Sequence, residues 1–250
     1  MITLLTTSWG NLPTNSTNSP TVRSWNRWNP TCPVVHTHFN RGDYWAQEKT
    51  YSERFDTQTQ SEYILYKVDL IRQTTALIDT EFTIMADFND VYTMGTVDHL
   101  PSLFDLDRAV VFSSERNRYP KNPSKGYEYS SFDVSHSWFL NSGVILAKTS
   151  MLKELLDKSM EVFVKSEKRI VGGDQGLFTQ YYNSGVQPLI QLDYANLVSL
   201  STYDSNFEDY YVKNNRIYSK RFNTSPVFIH LNGINYGGRN FIEYFKIETV

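Results

Sequence analysis

Apolar, β-branched runs that recur between amphipathic, helix-spaced stretches restrict this chain more than any other feature. Ile2 to Thr7 (ITLLTT), the stretch around Phe82, Ile84 and Met85, Arg108 to Ser113 (RAVVFS) and Pro226 to His230 (PVFIH) each read as a buried strand. Between them, Ser61 to Ile78 sets Ile64, Leu65, Val68, Ile71 and Leu77 at helical spacing. SMLKELLDKSMEVFVKS does the same with Leu152, Leu155, Leu156, Met160, Val162 and Phe163, and Ser150 is placed to cap it. A short crossover helix is expected within Asp98 to Leu106, another helix from near Asp174, and a closing one over Phe241 to Ile247. Strands joined by helical crossovers make a largely parallel sheet covered on both faces, so the expected fold class is α/β.

Other stretches are less regular. GNLPTNSTNSPT is too polar to pack and reads as a long loop, whereas Pro33 to His38 suits a second strand. NRGDYWAQEKTYSERFD mixes aromatics with charge and fits either a lid or an irregular edge. In FLNSGVILA the apolar run is interrupted by Asn-Ser-Gly, which suggests a turn or bend beside a strand. No linker or repeat divides the 250 residues, which suit one domain over 1–250 that needs no disulfide.

Charge and targeting signals remove several function classes. The net charge of -3 is dispersed, which takes away the electrostatic case for nucleic acid. Cys32 is the single cysteine, so no disulfide framework exists. The opening MITLLTTSWGNLP lacks a basic flank and a long apolar core, so the expectation is a soluble, cytoplasmic protein with no membrane insertion. The dinucleotide fingerprint, the P-loop and the G-x-S-x-G elbow are all missing.

The chemistry concentrates in TIMADFNDVYTMG. An apolar strand runs into Asp87, with Asp90 three residues on, and ligands of open α/β sheets sit at such strand ends. Two adjacent carboxylates repel and invite a hard cation such as Mn²⁺ or Mg²⁺; Asp in a post-strand turn also caps backbone N–H groups, so both readings stand. His230 ends PVFIH and suits a third ligand, one more natural for Mn²⁺ than for Mg²⁺, or else a core histidine bonded to backbone. His36, His38, His99 and His136 show no zinc spacing.

Taken in order, LLTT, YKVDLIRQT, MADFNDVYTMG, VVFSSE, FLNSGVILA, GGDQGLF, QLD and PVFIHLNG span nearly the whole chain. Together they resemble the glycosyltransferase domain of the multifunctional collagen lysyl hydroxylases, and collagen-type sugar transferases of the GT-A fold more widely. The resemblance implies Mn²⁺ held by Asp87, Asp90 and His230 against the diphosphate of a UDP-sugar, UDP-glucose or UDP-galactose. It sets Thr7 on the nucleotide side and Lys67 near the donor, although Lys67 also fits a solvated helix position. Asn89 stands where the family can have a uracil-contacting tyrosine, which leaves that role to Trp45, Tyr44 or Tyr92.

Asn232 and Gly233 would meet the diphosphate, and Asn141 with Ser142 would meet sugar hydroxyls or simply hold a turn. Asp193 is matched to a late aspartate, with either a local backbone role or one supporting the metal. GGDQGLF resembles an Asp-Asp-Asp-Gln run in which Gly172 and Gly173 replace the first two acids, leaving Asp174 and Gln175 as catalytic candidates together with Asn141. The implied reaction is hexose transfer, with retention of configuration, to hydroxylysine or galactosyl-hydroxylysine of a collagen-like protein, with lysine hydroxylation left to a separate enzyme. The alternatives are transfer to another glycan or protein, or a catalytically weak UDP-sugar-binding accessory module.

Overall fold

Successive residues of a strand face opposite sides of a sheet, so a strand covered on both sides must be apolar at consecutive positions. Leu4 and Leu5, Ile84 and Met85, and Val111 and Phe112 are such pairs. The computed structural model describes residues 1–10, 16–40, 57–117, 119, 139–166, 170, 172–184, 189–203, 205–232 and 239–246. The segment expected as a lid or irregular edge lies almost wholly outside them.

The chain begins with β1 (Ile2–Gly10), then a 3-10 turn at Ser16–Asn18 and helix α1 (Pro20–Trp28). The polar stretch expected to be all loop therefore contains a helix start. Ser19 caps it by accepting the Val22 N–H at 3.3 Å, and Pro20 occupies the first turn, where its missing N–H costs nothing. After β2 (Val34–Asn40) comes α2 (Thr57–Thr75). Leu77, expected on its apolar side, falls beyond its end and is 85 % exposed.

There follow β3 (Phe82–Asp87), β4 (Val91–Thr93), a 3-10 turn at Leu100–Leu103 in place of the expected crossover helix, and β5 (Val110–Glu115). β6 (Phe139–Lys148) runs unbroken through Asn-Ser-Gly. The interruption appears instead as a bulge: Phe112 pairs with Ile145, but Ser113 pairs with Asn141.

Helix α3 (Thr149–Lys165) starts directly after β6, with Lys148 and not Ser150 at its cap position. Thr149 is tied down there by hydrogen bonds to the Thr80 carbonyl (2.6 Å) and the Thr83 hydroxyl (2.9 Å), which fixes the start two residues earlier. The chain continues through α4 (Gly173–Asn183), β7 (Ile190–Asp193), β8 (Ser199–Ser201), the antiparallel hairpin β9 (Tyr210–Lys213) and β10 (Arg216–Ser219), β11 (Phe228–His230) and α5 (Arg239–Phe245).

The main sheet has the order β2-β1-β3-β6-β5-β7. Every strand in it points the same way except β6, which runs antiparallel between β3 and β5. The largely parallel expectation holds with that one inversion. On one face Leu5, Met85, Phe112 and Ile145 pack under Val68, Ile71, Leu155, Phe163 and Phe178 of α2, α3 and α4. On the other, Leu4, Ile84, Val111 and Val144 meet Trp25, Val97, Leu100 and Phe228. A second sheet, β4-β11-β8, carries β11 between its neighbours. Among the described residues no helix is long and apolar enough to cross a membrane.

Candidate metal centre

Asp87 is the last residue of β3 and pairs in register with Thr7 near the end of β1, at the carboxyl edge where parallel strands deliver their ends. Asp90 follows in the turn to β4, while His230 closes β11 and pairs with Val91. Two sheets thus bring three sequence-distant or turn-separated ligands together. One ligand atom from each of Asp87, Asp90 and His230 lies within 4.8 Å of the others, and His230 Nε2 stands 3.6 Å from a carboxylate oxygen of each aspartate.

The turn carrying the aspartates is fastened from behind by α1. Thr21 Oγ1 donates to the Asp87 carbonyl at 2.7 Å, Ser19 Oγ donates to the Phe88 carbonyl, and Ser24 Oγ accepts the Thr93 N–H at 2.9 Å. On the other side the Leu231 N–H donates to the Asp90 carbonyl at 2.7 Å, which locks β11 to the turn. These bonds engage backbone, so both carboxylates stay available to the cleft.

Electrostatics separates the three groups. Burial pushes the Asp87 carboxyl up to about 6, with the nearby Asp90 charge adding to it and Lys67 and His230 opposing it. Its side chain is nonetheless 37 % exposed, so it is not sealed from solvent. Burial also raises Asp90, but His230 and Lys67 outweigh it and the net direction is down. For His230 burial lowers the pKa, and the surrounding Asp90, Asp87 and Glu115 more than offset this, so it ends above the ordinary imidazole value. An anionic pair facing an imidazole is a donor set for a divalent cation, and the nitrogen ligand favours Mn²⁺ over Mg²⁺.

Lys67 is buried, not solvated. Its Nζ lies 2.9 Å from Asp174 Oδ2 and 3.6 Å from Asp87 Oδ1, so it couples the aspartate-bearing turn to the start of α4. Asp174 sits inside the first turn of that helix and makes this ion pair; the cap position belongs to Gly172. Gly172 and Gly173 adopt φ of 93° and 60°, the left-handed region that glycine enters without a Cβ penalty. The glycines at the start of the resembled acidic run therefore have a conformational reason to be there.

Beside His230 lies a buried polar network. His230 Nδ1 contacts Asn141 Oδ1 at 2.9 Å, Asn141 Nδ2 donates to Gln175 Oε1 at 3.4 Å, and Gln175 Nε2 donates to Glu115 Oε1 at 2.7 Å. Asn232 closes it, donating to Glu115 Oε2 at 2.7 Å and accepting the Tyr203 N–H at 3.0 Å. Asn141, Gln175 and Asn232 are thus brought together near the candidate metal ligands, with Ser142 alongside. Asn89 lies exposed between the aspartates and Tyr92 is half-buried on β4. Asp193 accepts the N–H groups of Leu197, Val198 and Ser199 at 2.7–3.1 Å, which is its local backbone role. Trp45, Tyr44 and Gly233 lie outside the described residues.

Sequence reasoning gave no role to Glu115 or Gly143. Glu115 was visible only as the end of VVFSSE; its 2 % exposure depends on contacts from α4 and the residues after β11. A Cβ on Gly143 would stand 2.7 Å from His230 Nε2 and closer still to Cε1 and Nδ1, so the imidazole packs directly on this glycine.

With this geometry in place, the chain can be set beside known proteins. No protein-family pattern matches it, and no curated protein matches it in sequence. Solved structures do. A glycosyltransferase involved in the glycosylation of the major capsid of PBCV-1 superposes with a TM-score of 0.53 over 99 % of this chain and 99 % of its own, at 12 % identity. The fold is GT-A-like. Galactosyltransferase LgtC in complex with donor and acceptor sugar analogs gives 0.52, and an active-site mutant of LgtC gives 0.54, each at 12 % identity over 99 % of this chain and 97 % of theirs. At that identity the likeness is one of fold. It reaches GT-A glycosyltransferases as a class and not collagen-modifying ones in particular.

Proposed function

We propose that this chain is a metal-dependent glycosyltransferase that moves a hexose from a UDP-sugar to a hydroxyl of a glycan or protein. The observation that carries the reading is the convergence of Asp87, Asp90 and His230 at the carboxyl edge of a GT-A-like sheet, with ligand atoms within 4.8 Å. A divalent cation held there, Mn²⁺ by the chemistry of the donor set, supplies positive charge to a diphosphate leaving group.

The chain's own residues do the remainder. Asp87 and Asp90 hold the cation side of the pocket, and Lys67 keeps the Asp174 carboxylate beside it through a 2.9 Å ion pair. Thr7, level with Asp87 in the sheet, stands on the nucleotide side. Gln175, Asn141 and Asn232 form the polar wall assigned to the sugar and diphosphate. Each of the three is anchored by hydrogen bonds before any substrate arrives, and such preorganised groups need not rearrange as charge develops.

The acceptor is proposed at the broader level. One protein of this fold is involved in glycosylating a viral capsid and another holds donor and acceptor sugar analogs, which supports a glycan or protein acceptor more directly than collagen. Hydroxylysine transfer with retention of configuration is the narrower case of the same reading, with UDP-glucose or UDP-galactose as donor. The test is UDP release from a panel of UDP-sugars with sugar, glycan and collagen-peptide acceptors, followed by mass analysis of products. A glycosylated product supports the transferase. Tight UDP binding without turnover on any pair would instead identify an accessory binding module.

A further inference from the structure

We propose that Glu115 is a positioning residue that sets which nitrogen of His230 faces the cation, acting through Gln175 and Asn141; this rests on reading Asp87, Asp90 and His230 as the cation site. Each link follows from hydrogen-bond polarity. Glu115 Oε1 and Oε2 each receive a carboxamide N–H at 2.7 Å, from Gln175 and from Asn232; burial raises the carboxyl's pKa, and these amides, with His230 and Asn141, oppose that shift. The ionised carboxylate accepts only, so it fixes the direction of everything attached to it.

With its NH₂ group committed to Glu115, Gln175 turns Oε1 toward the Asn141 NH₂ group and the Ser142 N–H, both at 3.4 Å. With its own NH₂ group given to Gln175, Asn141 turns Oδ1 toward the Gly143 N–H and His230 Nδ1, both at 2.9 Å. An amide oxygen has no proton to give, so Nδ1 carries it. Nε2 is then the nitrogen turned toward Asp87 and Asp90, 3.6 Å from each, and the one that a cation between them would meet. The ring packs directly on Gly143, which leaves space for it only by lacking a Cβ. A metal-ligating histidine is oriented by the bond its other nitrogen makes, and here that bond traces back to a carboxylate on β5.

Glu115→Gln breaks the direction of the chain while keeping its shape. The new amide offers one acceptor to two donors. Asn232 is tied to the Tyr203 N–H at 3.0 Å, whereas the other contacts of Gln175 are longer, 3.4 Å at Oε1 and 3.3 Å from Nε2 to the Tyr119 carbonyl, so Gln175 is the amide that turns over. Its NH₂ group then opposes that of Asn141, which relieves the clash by turning over and giving up the Gly143 N–H, and His230 Nδ1 loses its acceptor. Adding Gln175→Glu restores the order: the amide at 115 accepts from Asn232 and donates to the carboxylate at 175, which accepts from Asn141 and Ser142.

Two readouts test this in the full chain: Mn²⁺ binding followed by electron paramagnetic resonance, and solvent exchange of the His230 Nδ1–H, read from its ¹⁵N-edited signal in Mg²⁺-loaded protein, where the cation takes Nε2. Glu115→Gln is expected to weaken Mn²⁺ binding by about 10- to 100-fold and to speed exchange of the Nδ1–H. The double variant is expected to reverse both changes. Wild-type Mn²⁺ affinity in Glu115→Gln, or a defect that the double variant leaves in place, overturns the proposal. Should Glu115→Gln not fold, Asn141→Asp, which keeps an acceptor at Nδ1, must keep the slow exchange and Asn141→Leu must lose it; the same exchange in both overturns the proposal. A wild type that binds neither cation refutes the cation reading and the proposal with it, whereas cation binding that Glu115→Gln leaves unchanged refutes the proposal alone.

Discussion

Gly143→Ala is the smallest change that should disable the centre without touching a ligand. The added methyl would stand 2.7 Å from His230 Nε2, so that nitrogen must retreat by about 0.7 Å to regain ordinary contact at 3.4 Å, and Cε1 and Nδ1 must retreat further. Backbone strain plays no part, since Gly143 is not among the left-handed glycines. Metal–ligand distances hold to within about 0.2 Å, so a shift of this size takes Nε2 out of coordination. His230 is only 3 % exposed and has nowhere to swing, so overpacking should also cost about 1–3 kcal/mol of stability. The assay is Mn²⁺ titration by calorimetry beside thermal melts with and without Mn²⁺. Affinity should fall at least as far as the roughly 10- to 100-fold typical of disturbed supporting residues, and Mn²⁺ should no longer raise the melting temperature. Wild-type Mn²⁺ affinity in Gly143→Ala would refute the argument that the imidazole is seated on this glycine.

Three further outcomes follow from the structure. Because the Asp87 carboxyl is pushed from 3.8 up to about 6, the metal-free native protein binds a proton in that window that the unfolded chain does not, so its stability declines as pH rises through it. Protons and Mn²⁺ compete for the same oxygen, so Mn²⁺ affinity should fall as pH drops through about 6, and Lys67→Met should move that fall to higher pH; titrations across the range check it, and a flat profile speaks against it. Gly172→Ala or Gly173→Ala should each cost about 1–2 kcal/mol in a denaturant melt because both positions are left-handed, and an unchanged midpoint would remove the conformational reason given for these glycines.

The parts of the fold that were legible in the sequence are those set by local pattern. Paired apolar residues such as Leu4 with Leu5 announced strands covered on both faces, and the spacing of Leu152, Leu155 and Leu156 announced α3. α1 escaped because its amphipathic signal is brief and sits in polar surroundings; it is made by a Ser19 cap, a proline start and burial of Val22 and Trp25 against elements far along the chain. The bulge at Asn141 to Gly143 looked like a break because a residue string does not show which partner residues a strand skips.

The same divide runs through the site. Asp87 and Asp90 were readable because a strand end and a three-residue spacing are local, and His230 because it ends a strand. Lys67 was ambiguous on its helix until the fold set Asp174 and Asp87 beside it, at 2.9 and 3.6 Å. Glu115 and Gly143 carried no local signal at all. One gains its role from amides on two other segments, the other from the side chain of a residue 87 positions later that must lie against it.

The most direct test of the central claim is calorimetric binding of UDP with Mn²⁺ and with chelator, in the wild type and in the Asp87→Ala/Asp90→Ala double variant. The metal-centre account predicts UDP binding in the wild type that requires Mn²⁺ and is lost in the double variant. UDP affinity that is the same with chelator as with Mn²⁺, and unchanged when both aspartates are removed, would contradict it.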